Sequence, residues 1–504
     1  MTRIITLVLV GLAATGFFFA RLGTEPMQRW DEGIHGSVSL EMEQNGTWLS
    51  MSYHHLPYWA KPPLKFWLTT PLFSVFGTSE FAVRFWSAVA GVLTAVLLAW
   101  WVMSETGAAM FGLLAGGIFT LGRFIFYHSF RTGETDGILV FLFVVAMYAG
   151  WRMWQQRRWW IVFGIASGLL FMTKQLFGLV PFAILGLDFI IGRGLTKQRF
   201  LDLIQAFVLA LLIAAPWHLL MTVRYGTAFW ANYIWFNVAR RANETLYHND
   251  VPWYWYVTIL RMRFFPFVLF VPLAFFTTLG NLWTKGRSII RLSVIWAVII
   301  FALFSAVKTK FDWYILPMYP ALLLMLIVAM RRWWEKRTMA MLLGMILSVG
   351  LVWWEAIYRL SHAGLLWKLT PFAYVSSGNQ FLVAFALPVV ACIVLMAWFK
   401  PMAKRIVLAG SFLFVFGLAG WWSISNIRHL PTTSPAKTIA TEVAAAKITE
   451  LDVVGVDLYR NPDLYFYLRR ISTLTIHEKV TTPAAGHAIL TNGSDGAFVV
   501  TLPK

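Results

Sequence analysis

Charge is scarce in this chain, and cysteine is almost absent. Only 13% of the 504 residues are Asp, Glu, Lys or Arg, where a soluble domain carries about a quarter. That shortage, with 59% apolar residues and a mean hydropathy of +0.66, excludes an ordinary soluble protein. The single cysteine, Cys392, lies inside an apolar run, so neither an internal disulfide nor a cysteine metal cluster can form. No internal repeat or low-complexity tract is present. What charge there is leans basic, at +19 net. Short cytoplasmic loops of membrane proteins collect Lys and Arg, so this excess argues for membrane topology and not for a nucleic-acid partner.

Apolar runs long enough to cross a bilayer, about 20 residues each, recur along the chain. The pattern predicts a polytopic α-helical membrane protein with about thirteen spans. Arg3 precedes the first, Ile4 to Ala20, which reads as an uncleaved span with its N-terminus inside. Basic clusters at Arg152–Arg158, Arg193–Arg199, Lys285–Arg291, Arg331–Arg337 and Lys400–Arg405 fall on alternate loops, all on the inner side, which leaves the C-terminus outside. Two outer loops are long, 21–80 and 224–253. Beyond about residue 425 the apolar runs shorten to strand length, in LDVVGVD, STLTI and AFVVTL. They alternate with helix-like pieces, SPAKTIATEVAAAK and NPDLYFYLRR. Two regions follow: 1–425 in the membrane with its loops, and 426–504 as a small α/β domain without a nucleotide-binding glycine motif.

The loop from Arg29 to Trp67 mixes Asp31, Glu32, His35, Lys61 and Lys65 with six Trp and Tyr residues. A plain tether needs only a few polar residues. Asp31 and Glu32, just beyond the first span, suit a general base or a cation ligand, or are two solvated acids. Lys61, set by Pro62–Pro63, suits a lipid phosphate or is a snorkelling lysine. Glu134 and Asp136 form a second acidic pair, which Arg131 is placed to neutralise. Lys308, Lys310, Tyr314 and Pro317 at an outer interface again suit a phosphate-bearing lipid, or simple anchoring. Arg261 and Arg263, near the outer end of a span, call for an anionic partner in the protein or a ligand. His248 with Asp250 offers two donors to a divalent metal.

Taken together, WDEG…H…KPPLKFW, the Glu134/Asp136 loop, Thr173-Lys174 and the K-x-K-x-x-x-Y-x-x-P segment resemble the bacterial relatives of protein O-mannosyltransferases, most nearly the aminoarabinose (lipid A) transferases. The resemblance covers nearly the whole chain. It implies a GT-C membrane fold with a C-terminal periplasmic α/β domain, in the bacterial inner membrane, with the site periplasmic. It implies an inverting glycosyltransferase that takes a sugar from a polyprenyl-phosphate donor to a lipid A, other glycan or protein acceptor, with membrane lipids as partners and no nucleotide cofactor. Asp31 would be the catalytic acid residue, with Glu32 beside it, and Asp136 with Glu134 the second acidic site. Lys61 and Tyr314, with Lys308, Arg261 and Arg263, would hold the donor phosphate, and His248 would help bind a divalent metal ion. One departure stands out. The family pattern DE-x-RY is here Asp31-Glu32-Gly33-Ile34-His35, without the arginine. The alternative reading is a transporter or flippase for a lipid-linked sugar. It predicts charged or broken helices at mid-membrane in paired halves, whereas the charge here concentrates in outer loops. A non-catalytic scaffold would leave those loop residues without a role.

Overall fold

The structure is a computed structural model. It describes residues 2–246, 251–265, 267–278, 280, 282–335, 417, 419–421, 423–493 and 497–502. Six helical stretches among them are long and apolar enough to span a bilayer: α1 (Thr2–Phe19), α4 (Glu80–Thr106), α6 (Asp136–Met153), the stretch Lys197–Asn243, α13 (Ile289–Ala306) and Asp312–Arg332. Three shorter apolar helices, α5 (Ala109–Leu121), α7 (Trp159–Phe171) and α8 (Val180–Ile191), complete the bundle. Predicted spans eleven and twelve, most of thirteen, and Cys392 lie outside the described residues.

Helix α4 is the hub, packing against α1, α5 and α6, while α7 lies between α6 and α9 (Lys197–Trp230). Lipid-facing positions such as Ile4, Leu12, Leu212 and Val223 stay exposed, and Trp101, Trp151 and Trp296 fill the interior. One of two fully enclosed charge pairs among the described residues lies in the bundle: Arg291 Nε donates to Asp188 Oδ1 at 2.7 Å, with both side chains at most 1% exposed.

Three expectations are corrected. The 21–80 region is a folded layer and not an open loop. It contains α2 (Asp31–Asn45), a hairpin of β1 (Ser52–Tyr53) and β2 (Leu56–Pro57), and α3 (Leu64–Phe76). His54 and His55 both take positive φ in the two-residue hairpin turn, as such tight turns demand. The second long loop is mostly helix. After a kink at Gly226 (φ 59°), α9 runs into a wide-turned π segment, Ala231–Arg240, and a last turn, α10 (Arg241–Asn243). Third, the predicted span that carries Arg261 and Arg263 is broken into α11 (Trp255–Arg263), a 3-10 turn (Phe267–Phe270) and α12 (Val271–Thr278). Pro272 sits in the first turn of α12, where its fixed φ and missing N–H suit a new helix start.

The C-terminal region holds α15 (Pro435–Ala445), β3 (Glu450–Val453), α16 (Pro462–Arg469), β4 (Thr475–His477), β5 (Ala488–Asn492) and β6 (Phe498–Thr501); α14 (Tyr319–Glu335) precedes it in the membrane. Ser434 caps α15 by accepting from Lys437 N at 3.2 Å. The sheet order is β4-β3-β5-β6, parallel except for β5–β6. Its core is continuous with that of the 21–80 layer: Met27, Val38, Phe66 and Phe229 join one cluster with Leu451, Leu464 and Phe466.

Candidate active site

Asp31 is the first residue of α2. A carboxylate there faces the unpaired N–H groups of the helix start. Trp30 before it holds φ 69°, ψ −123°, a backbone state that L side chains rarely adopt and that tends to sit at functional sites. The start of α2 is anchored by Glu32, which is fully buried. Its carboxylate accepts from Arg84 Nε (2.7 Å) and Nη2 (2.8 Å), Gly133 N (2.6 Å) and Gln28 N (2.7 Å). Arg84 in turn donates to the carbonyls of Leu22, Glu25 and Pro26.

Lys61 comes from a different segment. Ala60 O accepts from Gln175 Nε2 at 2.6 Å, and Leu64 N donates to Met172 O at 3.1 Å. These bonds fix the Lys61-Pro62-Pro63 turn against the end of α7, next to Lys174. Lys174 Nζ donates to Asp136 Oδ1 at 2.9 Å and lies 5.2 Å from the Tyr314 ring centroid. Tyr314 stands on the 3-10 turn Asp312–Met318, where its hydroxyl accepts from Arg241 Nη1 at 3.5 Å. Arg241 is held through its backbone: Thr309 N donates to Arg241 O at 3.0 Å and Lys308 N to Ala242 O at 3.1 Å. Thr309 Oγ1 ties down the following residues through Glu244 O and Leu246 N.

Six separated segments thus bring Asp31, Lys61, Asp136, Lys174, Arg241 and Tyr314 to one cleft. Burial alone would raise the Asp31 carboxyl, but Lys61, then His35, His128 and Arg241, hold it down at about 2. Burial and then the neighbouring Lys174 pull Lys61 down to about 8, with Asp31 and Asp136 opposing. Asp31 and Lys61 feel each other without forming a direct ion pair. His35 is buried against the Phe66 ring, 5.4 Å between centroids. Burial pushes it to about 3, so it is neutral. His128 stacks on Trp313 at 3.7 Å, and burial lowers it too.

Other predicted residues sit differently. Glu32 is bound up with Arg84 and carries structure. Glu134 is fully buried, with Oε1 3.8 Å from His128 Nδ1. Burial and the adjacent Glu32 raise it well above the ordinary carboxylate value. Arg131 does not neutralise that pair; it donates to the carbonyls of Phe17, Phe18 and Ala20. Arg263 finds its anion in the protein, donating to Asp312 Oδ2 at 2.9 Å, with its guanidinium over the Tyr127 ring. Arg261, two positions earlier on α11, points to a different side of the helix. The Lys308 side chain is exposed, and its backbone is what supports Arg241. His248 and Asp250 lie outside the described residues. Among the described residues no three metal-type donors converge on the cleft, and its carboxylates already face lysines. Sequence reasoning passed over Lys174, Arg241 and His128 as site residues. The signal for Arg241 was a second arginine beside Arg240 in an outer segment.

Residues 60–219 match the family model described as dolichyl-phosphate-mannose-protein mannosyltransferase. Among curated proteins, the chain is 29% identical over 302 residues to an undecaprenyl phosphate-alpha-4-amino-4-deoxy-L-arabinose arabinosyl transferase of Edwardsiella ictaluri, covering 59% of this chain and 54% of the relative. It is 29% identical over 329 residues to the protein of that description from Yersinia pestis, covering 62% and 58%. The match thus spans just over half the length of these relatives. Among solved structures, ArnT from Cupriavidus metallidurans bound to undecaprenyl phosphate superposes with a TM-score of 0.68 at 22% identity, over 94% of this chain and 85% of that one. Its apo form gives 0.67 at 23% identity, over the same shares. The fold is therefore that of a polytopic helical membrane protein of the GT-C class. Within it, the chain resembles the aminoarabinose transferases.

Proposed function

We propose that this chain is an inverting glycosyltransferase that moves a sugar from a polyprenyl-phosphate donor to a lipid A, other glycan or protein acceptor at the periplasmic face of the bacterial inner membrane. The observation that carries the reading is the convergence of Lys61, Lys174 and Arg241 beside Asp31, with the Tyr314 hydroxyl bonded to Arg241. Cations clustered at membrane depth suit a lipid-borne phosphate, and a carboxylate facing them suits the acceptor.

The chemistry follows from charge. The bond between the anomeric carbon and the phosphate oxygen breaks, and its electron pair leaves with the polyprenyl phosphate. Lys61, Lys174 and Arg241 stabilise the charge that develops there. The acceptor oxygen attacks from the opposite face, which inverts the centre. Where the acceptor is a hydroxyl, its proton goes to Asp31. In the free protein the surrounding cations make Asp31 a weak base, since it titrates at about 2. A donor phosphate drawn to the same cations offsets their pull and raises the basicity of Asp31, so donor binding readies the base. Where the acceptor is itself a phosphate, no proton moves and Asp31 orients it.

The test is transfer in membranes from radiolabelled polyprenyl-phosphate sugars, comparing wild type with Asp31→Asn and Lys61→Ala. Label should pass into another lipid, glycan or protein with wild type only. Wild-type transfer by both variants, or label that merely changes leaflet, overturns the reading.

A further inference from the structure

Far along the chain from the cleft, the C-terminal sheet assembles donors that the reaction above does not use. Glu450 and Asp452 lie two apart on β3, so their side chains share one face of the sheet. Register places His477 of β4 opposite Asp452. Ala488 of β5 pairs with Leu451, so the preceding His487 arrives beside Glu450. The bonds run diagonally: His477 Nε2 to Glu450 Oε2 at 2.7 Å, and His487 Nδ1 to Asp452 Oδ1 at 2.9 Å. The two imidazoles stack 5.1 Å apart. Donor atoms of Glu450, His477 and His487 all lie within 4.8 Å of one another, the one such threesome of metal-type donors among the described residues.

We propose that Glu450, His477 and His487 form a binding site for a divalent transition metal of the Zn2+ type. Two imidazoles and a carboxylate are a donor set that Zn2+ favours, with one position left to water or another group. The supporting shell is already built. Asp452, only 3% exposed at its side chain, accepts from Ala484 N at 2.7 Å and from His487 Nδ1. A carboxylate in that position fixes the tautomer of a ligating histidine and leaves Nε2 for the metal. The other three residues are partly exposed, with Glu450 and His477 both at 40%, so an ion has a way in. A bound ion would pin β4 and the turn before β5 to the central strand of a small sheet, where little core is available.

The experiment uses the untagged full-length protein in detergent, stripped with chelator and titrated with Zn2+ by calorimetry, with Co2+ absorption reporting the ligand geometry. Wild type should bind one Zn2+ that His477→Ala and His487→Ala each lose, while Asp452→Asn binds about 10–100-fold more weakly. Zn2+ should also raise the melting temperature of wild type and leave that of the histidine variants unchanged. His429→Ala, an exposed histidine elsewhere, should behave as wild type. No Zn2+ binding by wild type, equal binding by wild type and both histidine variants, or loss only in His248→Ala overturns the proposal. None of these readouts depends on sugar transfer, so failure here and failure of the proposed activity are separable.

Discussion

Asp31 and Glu32 are neighbours of the same chemistry, and the structure gives them opposite duties that mutation can separate. Glu32 is 0% exposed and receives four N–H donors, two of them from a buried guanidinium. Glu32→Ala leaves the Arg84 charge enclosed without its counter-ion. Removing one partner of a buried pair costs about 3–5 kcal/mol, a large part of a total stability of roughly 5–15 kcal/mol. Glu32→Gln keeps the shape but turns one acceptor oxygen into a donor facing donors, so a loss of about 1–3 kcal/mol is expected. Asp31→Asn removes a carboxylate that its cations hold at about 2, below the ordinary 3.8, so it should cost about 1–3 kcal/mol at neutral pH, less than Glu32→Ala, while transfer is lost. The assay is thermal unfolding of purified protein in detergent, read beside transfer in membranes. If Glu32→Ala melts like wild type but has lost transfer, Glu32 is catalytic and its structural assignment here is wrong. If Asp31→Asn unfolds as early as Glu32→Ala, its lost activity says nothing of chemistry.

Three further outcomes are expected. Phosphate binding needs Lys61 as ammonium, and with Lys61 at about 8 transfer should hold through neutral pH and fall above pH 8. Lys61→Arg, charged at every accessible pH, should remove that fall; an unchanged profile refutes the role. The same group acts on stability with the opposite sign. Its folded value lies below the ordinary 10.5, so it opposes folding below pH 8, and the penalty fades as pH rises from 8 to 10.5. Arg241→Ala removes a charge-assisted bond to phosphate of about 1.5–3 kcal/mol, which should weaken donor binding about 10–150-fold, seen in KM for the donor; an unchanged KM refutes it. Gly33→Ala should shift melting and lower transfer more than Gly36→Ala does. A Cβ on Gly33 would meet the Asp463 N at 2.6 Å and the Pro462 carbonyl carbon at 2.7 Å, both backbone, whereas one on Gly36 meets the movable ends of Met27 and Phe466. Overpacking costs about 1–3 kcal/mol, partly offset by roughly 1 kcal/mol of helix propensity. Equal behaviour of the two variants counts against close docking there.

The membrane spans were legible because an apolar run of fixed length has one main explanation in a chain this poor in charge. Charge marked Lys61 and Asp136, and the double proline marked the rigid turn that presents Lys61. In the 21–80 layer, Leu64–Phe76 was legible as a helix behind Pro62–Pro63, but α2 was not. Helix α2 reads DEGIHGSVSLEMEQN, with two glycines and no clear apolar stripe, because most of its surface is covered from several sides. Arg241 was hidden by context. Its position depends on backbone bonds to Lys308 and Thr309, some 67 residues away, and no local pattern encodes such a contact. Conversely, Arg261 and Arg263 drew attention by their depth, and for Arg263 the anion it needed was Asp312 of the protein itself.

The start of α16 presses on α2 at Gly33, where a Cβ would meet the Asp463 N at 2.6 Å, so α2 needs a face without a side chain there. The contact is reinforced around it. Tyr467 Oη accepts from Met27 N at 2.7 Å and donates to Glu80 at 3.0 Å, and Tyr465 Oη donates to Glu41 at 2.8 Å. Lys437 pairs with Glu80 at 2.7 Å from α15. Met27 and Glu41 flank the Asp31 end and the far end of α2, so the C-terminal domain grips the helix along its length. If that grip is what holds Asp31 in place, Tyr467→Phe, which removes two hydrogen bonds at about 0.5–1.5 kcal/mol each, should loosen α2 and lower transfer without touching the cleft. Protease cutting between residues 426 and 434 should quicken in the same variant. Full transfer with faster cutting would show that the domain docks for stability alone and leaves Asp31 unmoved.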